Sequence, residues 1–140
     1  TNKWVWNFPF YAPVIRYLEF YPIADGLDNG EDHIRSLMAR GYSILIFPEG
    51  TRSAENKILK FRRGAFYLAE RVNADIVPVY MVGPGKVLNK KELIFNPGEI
   101  DITIGKRIAA DDPSMGENYR EKTRNWHRHY LQWESTLTSQ

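Results

Sequence analysis

Ile44, Leu45, Ile46 and Phe47 follow one another without a polar interruption, and the run stops at Pro48-Glu49-Gly50. An apolar run of this length without alternation predicts a strand covered on both faces. Such a strand demands layers of helix on either side of a sheet. The flanking pattern supplies them. Upstream, Phe20 to Ile23 is a short apolar run ended by the turn signal Asp25-Gly26. Asp28 or Asn29 is placed to cap a helix with Glu31 and Asp32 in its first turn, where the helix dipole favours acids. Ile34, Leu37 and Met38 form its apolar stripe, and Gly41 ends it in a left-handed cap. Downstream, Ala65, Leu68, Ala69 and Val72 mark a second helix face, and Ile76 to Val82 a strand interrupted by Pro78, which cannot donate to a ladder. Asn89 to Gly98 reads as loop. Ile100, Ile102 and Ile104 alternate with polar residues as in a strand exposed on one face. A C-terminal helix over 113–138 carries the stripe Tyr119, Trp126, Tyr130, Trp133 and Leu137, whose expected role is core docking. The expected class is α/β, a mostly parallel sheet flanked by helices.

The chain has 140 residues, the size of one domain, and 43% apolar residues suffice for its core. It has no Cys, which excludes a disulfide scaffold, thiolate catalysis and Cys-ligated zinc, and fits a reducing compartment. No apolar run comes near the roughly 20 residues a membrane span needs. Residue 1 is Thr, and no basic, apolar and small-residue leader pattern follows it, so the chain is expected to be a piece of a longer one. Eight of its 19 aromatic residues fall in the first 21, from Trp4 to Tyr21. Phe10, Val14, Tyr17 and Leu18 recur there at helical spacing, which favours a packed first helix over contact with a bilayer interface.

The chemistry is concentrated directly after the apolar run, in Phe47-Pro48-Glu49-Gly50-Thr51-Arg52-Ser53. Ligands of open α/β sheets bind beyond the carboxyl ends of strands. This loop brings to such an end a carboxylate, a Gly that admits close backbone approach, two hydroxyls and a guanidinium suited to phosphate oxygens. From Arg52 to Arg63 there are five bases and one acid, a local charge of +4 in a chain of net charge +2, so everything else is net negative. A patch so concentrated, followed by a helix whose first amides favour anions, predicts capture of a phosphorylated ligand. Phe61, Phe66 and Tyr67 are available to stack nucleic-acid bases. The net negative charge outside the patch argues against a broad nucleic-acid surface.

These residues resemble the third block of the glycerolipid acyltransferases, the group typified by bacterial 1-acylglycerol-3-phosphate acyltransferase (PlsC-like). The likeness continues in order through Lys60-Phe61-Arg62-Arg63-Gly64-Ala65, through Ile76-Val77-Pro78-Val79 as a fourth block, and through Asn96-Pro97-Gly98 into the strand at Ile100. It implies transfer of a fatty acyl group from acyl-CoA or acyl-ACP to a hydroxyl of a lysophospholipid, at the cytoplasmic face of a membrane. It implies further that Glu49 and Arg52 help bind the phosphorylated acceptor, that Gly50, Thr51 and Ser53 belong to the same loop, and that Lys60, Arg62 and Arg63 supplement the anion site. Val77 and Pro78 would shape the acceptor and acyl region. No bound cofactor and no metal are implied, and no cluster of His and carboxylates has ligand spacing.

Two departures qualify the likeness. The family's first block is His-x4-Asp, a base with its orienting carboxylate. Here Met38 stands five residues after His33, Gln132 after His127, and Glu134 after His129. Positions five apart on a helix point about 140° away from each other, so His129 and Glu134 are expected to be surface residues. The catalytic pair is expected upstream of Thr1, and this stretch alone is expected to be inactive, a partial acyltransferase domain truncated at its N-terminus. The second block, normally ended by an Arg, corresponds to Tyr21-Pro22-Ile23-Ala24-Asp25-Gly26, and no Arg or Lys occurs between Arg16 and Arg35. The alternative is a non-catalytic lipid- or phosphate-binding module derived from the same fold.

Overall fold

The computed structural model describes Tyr17 and residues 30–51, 53, 57–88 and 95–137. Two compact units divide the chain, 1–45 and 46–140. The predicted strand at Phe20 to Ile23, the second block from Tyr21 to Gly26, most of the aromatic N-terminal segment, and the helix caps expected at Asp28 or Asn29 lie outside the described residues. Tyr17 is helical but 87% exposed, which removes it from the packed face expected there.

In the first unit, α1 spans Glu31–Ala39, one residue after an N-cap at Gly30 that makes no side-chain cap bond. Ile34 and Leu37 are buried, as their spacing predicts, while Met38 is half-buried. The helix ends as expected. Gly41, at a φ of 87°, donates its N–H to Met38 O at 2.9 Å, and Tyr42 donates to Leu37 O at 3.1 Å. That pair of bonds satisfies two carbonyls the helix end leaves open, and Gly adopts the left-handed backbone at little cost.

The predicted strand at Ile44 to Phe47 does not form. These residues have no regular structure and all are exposed, Leu45 to 74%. A strand covered on both faces is held by neighbouring strands and overlying helices, and none pairs with this run among the described residues.

In the second unit, α2 spans Arg63–Arg71 and buries Phe66 and Leu68. Strand β1, Val79–Val82, precedes a short helical turn, α3, at Pro84–Val87, and strand β2 covers Asp101–Ile104. β1 and β2 pair antiparallel, Val79 opposite Ile104 and Met81 opposite Ile102. The parallel arrangement expected from the sequence is not seen among the described residues; this one pair runs the other way. Pro78 acts as predicted. Ile76 pairs with Ile108 through two 2.9 Å bonds, the ladder breaks at Val77 and Pro78, and it resumes at Val79, with the Pro78 carbonyl accepting from Gly105 N–H at 2.9 Å.

β2 is exposed on one face, but in the opposite sense to an amphipathic strand: Ile102 and Ile104 lie outward while Thr103 is half-buried opposite Tyr80. The reason is the aromatic character of the last helix, α4, Tyr119–Leu137. Tyr130 and Trp133 pack their rings against Tyr80, with centroids 6.4 and 5.9 Å away. Tyr80 therefore marks the covered face of the sheet. The Tyr130 hydroxyl also bonds to Val79, accepting from its N–H at 2.9 Å and donating to its carbonyl at 3.1 Å.

α4 starts six residues later than predicted. A 3₁₀ turn at Pro113–Met115, capped by Asp112, is cut off by Gly116 at a φ of 116°, and Asn118 then caps α4 by accepting from the Arg120 and Glu121 amides. The core of this unit joins α4 to the motif region. Trp126, 1% exposed, packs with Phe61 and Phe66, and Ile76, Ile108, Met115, Tyr119 and Tyr130 surround them. Burying three such aromatic side chains contributes several kcal/mol. Phe61 thereby fixes the basic segment to the core. No helix among the described residues is long and apolar enough to cross a membrane.

Candidate functional site

The site is built on a turn. Phe47 O accepts from Gly50 N–H at 3.0 Å, with Pro48 following the first residue and Gly closing the turn, positions both residues favour. Gly50 has a φ of 68°, and a Cβ added there would stand 2.6 Å from Arg62 Nε. Glycine is thus needed for the backbone and for room.

Three hydrogen bonds bring the second motif against this turn. Leu59 N–H donates to Glu49 Oε2 at 2.8 Å, Arg62 N–H to Pro48 O at 2.7 Å, and Arg62 Nε to Glu49 O at 3.3 Å. Ser53 Oγ accepts from Lys57 N–H at 3.1 Å and tightens the intervening loop. Between the two motifs lies an open cavity of about 570 Å³ lined by Glu49, Thr51, Leu59, Lys60, Phe61, Arg62 and Arg63. Lys60, Arg62 and Arg63 are exposed and Glu49 is half-buried. The cavity therefore holds three cationic groups at the start of α2, whose first amides add to the positive potential. That arrangement suits an anion with several oxygens.

Of the residues singled out from the sequence, Glu49, Thr51, Lys60, Arg62 and Arg63 meet at this cavity, and Gly50 lies in the turn beside it. Ser53 serves the loop instead. Val77, exposed, and Pro78, buried, do not line the cavity. Arg52 lies outside the described residues. Among the described residues no group of His and carboxylates is placed to hold a metal. Two of the three histidines touch aromatic rings: His127 meets the Phe61 ring edge-on at 5.1 Å, and His129, exposed as expected, meets Trp126 at 5.6 Å.

One group went unmarked in the sequence and another was misplaced. Tyr80 donates its hydroxyl to Glu134 Oε1 at 3.0 Å. Burial, the bond to Glu134, and the negative charges of Glu134 and then Glu49 push the Tyr80 phenol from an ordinary value of 10 to about 12. Glu134 is thus a half-buried partner of β1 and not the surface residue expected. Its helical spacing from Trp126, Tyr130 and Trp133 was the available signal, since Tyr130 and Glu134 stand one turn apart.

Comparison with known proteins identifies the family. A family model described as Acyltransferase matches residues 2–82, which include the turn, the basic segment and β1. A 1-acyl-sn-glycerol-3-phosphate acyltransferase of Chlamydomonas reinhardtii is 37% identical over 78 residues, 55% of this chain and 24% of that protein. The human 1-acyl-sn-glycerol-3-phosphate acyltransferase alpha is 34% identical over 102 residues, 69% of this chain and 36% of its own length. The chain thus spans about a quarter to a third of the curated relatives it matches. In fold it is similar to the crystal structure of PlsC, the 1-acyl-sn-glycerophosphate acyltransferase from Thermotoga maritima, with a TM-score of 0.72 and 22% identity over 94% of this chain and 54% of that one. With a family model running through both motifs that close the cavity, the chain belongs to the PlsC-like glycerolipid acyltransferase family.

Proposed function

We propose that this chain is the acceptor-binding part of a single acyltransferase domain whose parent protein transfers a fatty acyl group from acyl-CoA or acyl-ACP to a lysophospholipid such as 1-acylglycerol-3-phosphate. The observation that carries the proposal is the clasp of the Pro48–Thr51 turn on the Leu59–Arg63 segment, which gathers Lys60, Arg62 and Arg63 around one cavity. In this reading the acceptor phosphate sits among these cations together with Arg52, and the free glycerol hydroxyl is held where a base can take its proton. The hydroxyl oxygen attacks the thioester carbonyl, the C–S bond breaks, and the thiol of the donor carries the proton away. This chain binds and orients; none of its histidines has an Asp five residues later, so the base comes from other residues of the parent. The fold likeness supports reading the parent domain as α/β with a mostly parallel sheet. Val77 and Pro78 then border the acyl region. A lipid acceptor requires work at a bilayer surface, which we place on the cytoplasmic side.

In the parent enzyme, supplied with acyl-CoA and lysophosphatidic acid and assayed by lipid mass spectrometry, Arg63→Ala and Arg52→Ala are each expected to raise KM for the acceptor about tenfold, through loss of a charge-assisted phosphate contact, with the KM for the donor unchanged. Acceptor kinetics unchanged in both variants would overturn the assignment. The missing base and the missing Arg between Arg16 and Arg35 favour a second reading, a lipid- or phosphate-binding module without catalysis. A parent protein that binds lysophosphatidic acid without turnover would establish that reading instead.

A further inference from the structure

A carboxylate in the wall of a cavity meant for a phosphate works against its ligand, because two anions a few ångströms apart repel. Glu49 stands in that wall. Its side chain, however, is engaged in closing the loop: Oε2 accepts the Leu59 amide ten residues along the chain. Its own carbonyl and that of Pro48 receive Arg62 Nε and Arg62 N–H. Both ends of the 59–62 segment are therefore fixed to the single stretch Pro48-Glu49. Gly50 leaves the space through which the Arg62 side chain passes. Lys60 and Arg63 line the same cavity, and among the described residues neither forms an ion pair.

We infer that Glu49 is a positioning residue: its carboxylate orders the basic segment through the Leu59 amide, Arg62 is shared between that clasp and the cavity, and within the 59–63 segment contact with the anion falls to Lys60 and Arg63. The inference rests on reading this cavity as the phosphate site of an acyl acceptor, and it divides labour within that site. A gain comes from order. A loop already closed on Glu49 presents its cations without losing conformational freedom when the anion arrives, and this offsets the repulsion.

The test uses the full chain labelled with ¹⁵N, inorganic phosphate as ligand, and two readouts: the phosphate Kd from amide shifts, and hydrogen exchange at the Leu59 amide. Glu49→Ala is expected to weaken phosphate binding about tenfold, the cost of one buried or half-buried hydrogen bond to a charged group, and to speed Leu59 exchange in parallel. Glu49→Gln keeps an acceptor oxygen and removes the charge, so Leu59 stays protected and phosphate binds at least as tightly as in the wild type. Replacing Lys60 and Arg63 together by Ala weakens phosphate binding more than tenfold with Leu59 exchange unchanged. Should Glu49→Ala fail to fold, Glu49→Gln decides alone: phosphate binding weakened tenfold with Leu59 still protected overturns the inference. Glu49→Ala with unaltered phosphate affinity overturns it as well, and leaves the acceptor site standing. Absence of phosphate binding by the wild type, with Leu59 protected, overturns the acceptor site itself and the division of labour with it.

Discussion

Tyr80 illustrates how a single side chain reports its surroundings. Its phenol stays protonated to about pH 12 because burial and the carboxylate of Glu134 disfavour the phenolate. In the unfolded chain it ionises near 10. The stabilisation is therefore whole below pH 10 and is lost as the pH rises from 10 through 12, where the unfolded state releases the proton first. Denaturant titrations at pH 9, 10, 11 and 12 are expected to show the wild type losing stability faster than Tyr80→Phe across that window; parallel curves would place Tyr80 in an ordinary aqueous setting. Asp75 behaves in the mirror sense. Arg107 and the Ala110 amide hold its carboxyl below the ordinary range, so its contribution is kept at neutral pH and lost in acid. At this scale the sequence singled out Glu49, Lys60, Arg62 and Arg63, and the structure brings these four to one cavity. The spacing of Glu134 from Tyr130 put it on the packed face of α4, but its bond to Tyr80, 54 residues away, is a pairing that no local pattern records.

Elements follow local rules where their ends carry strong signals. Gly41 closes α1 and Pro78 breaks the strand before β1, both as read from the sequence. Gly116 overrides the helical stripe and delays α4, since an aromatic period says which face is buried and nothing about where the helix begins. Gly83, between β1 and α3, is the least replaceable of these glycines. Its φ is 99°, and a Cβ there would lie 2.2 Å from the carbonyl oxygen of Glu99, a backbone atom that cannot step aside. Gly83→Ala is expected to destabilise the chain by about 2–3 kcal/mol, seen as a lower urea midpoint. At Gly50, by contrast, the neighbour is the Arg62 side chain, which can swing away. A substitution there disturbs the site more than the fold.

The whole molecule was only partly legible. The helices at Glu31, Arg63 and Tyr119 and the strands at Val79 and Asp101 were readable, and the fold is similar to that of PlsC. The pairing of strands was not, because register and direction are set between segments far apart in sequence. Ile44 to Phe47 shows the limit: its composition says that it wants cover on both sides, yet composition cannot bring the cover. The hydroxyl of Tyr130 bears on the same question from the other side. In an antiparallel pair, residues alternate between facing the partner strand and facing away, and Pro78 O is the group turned toward β2. The N–H and C=O of Val79 face away, and both are taken by one phenolic oxygen. A side chain thus sits where a further strand would dock, so that a foreign chain finds the outward groups of Val79 already taken. Removing that oxygen in Tyr130→Phe unlatches the edge, and such a variant is expected to gather into thioflavin-positive fibrils sooner than the wild type under the same agitation.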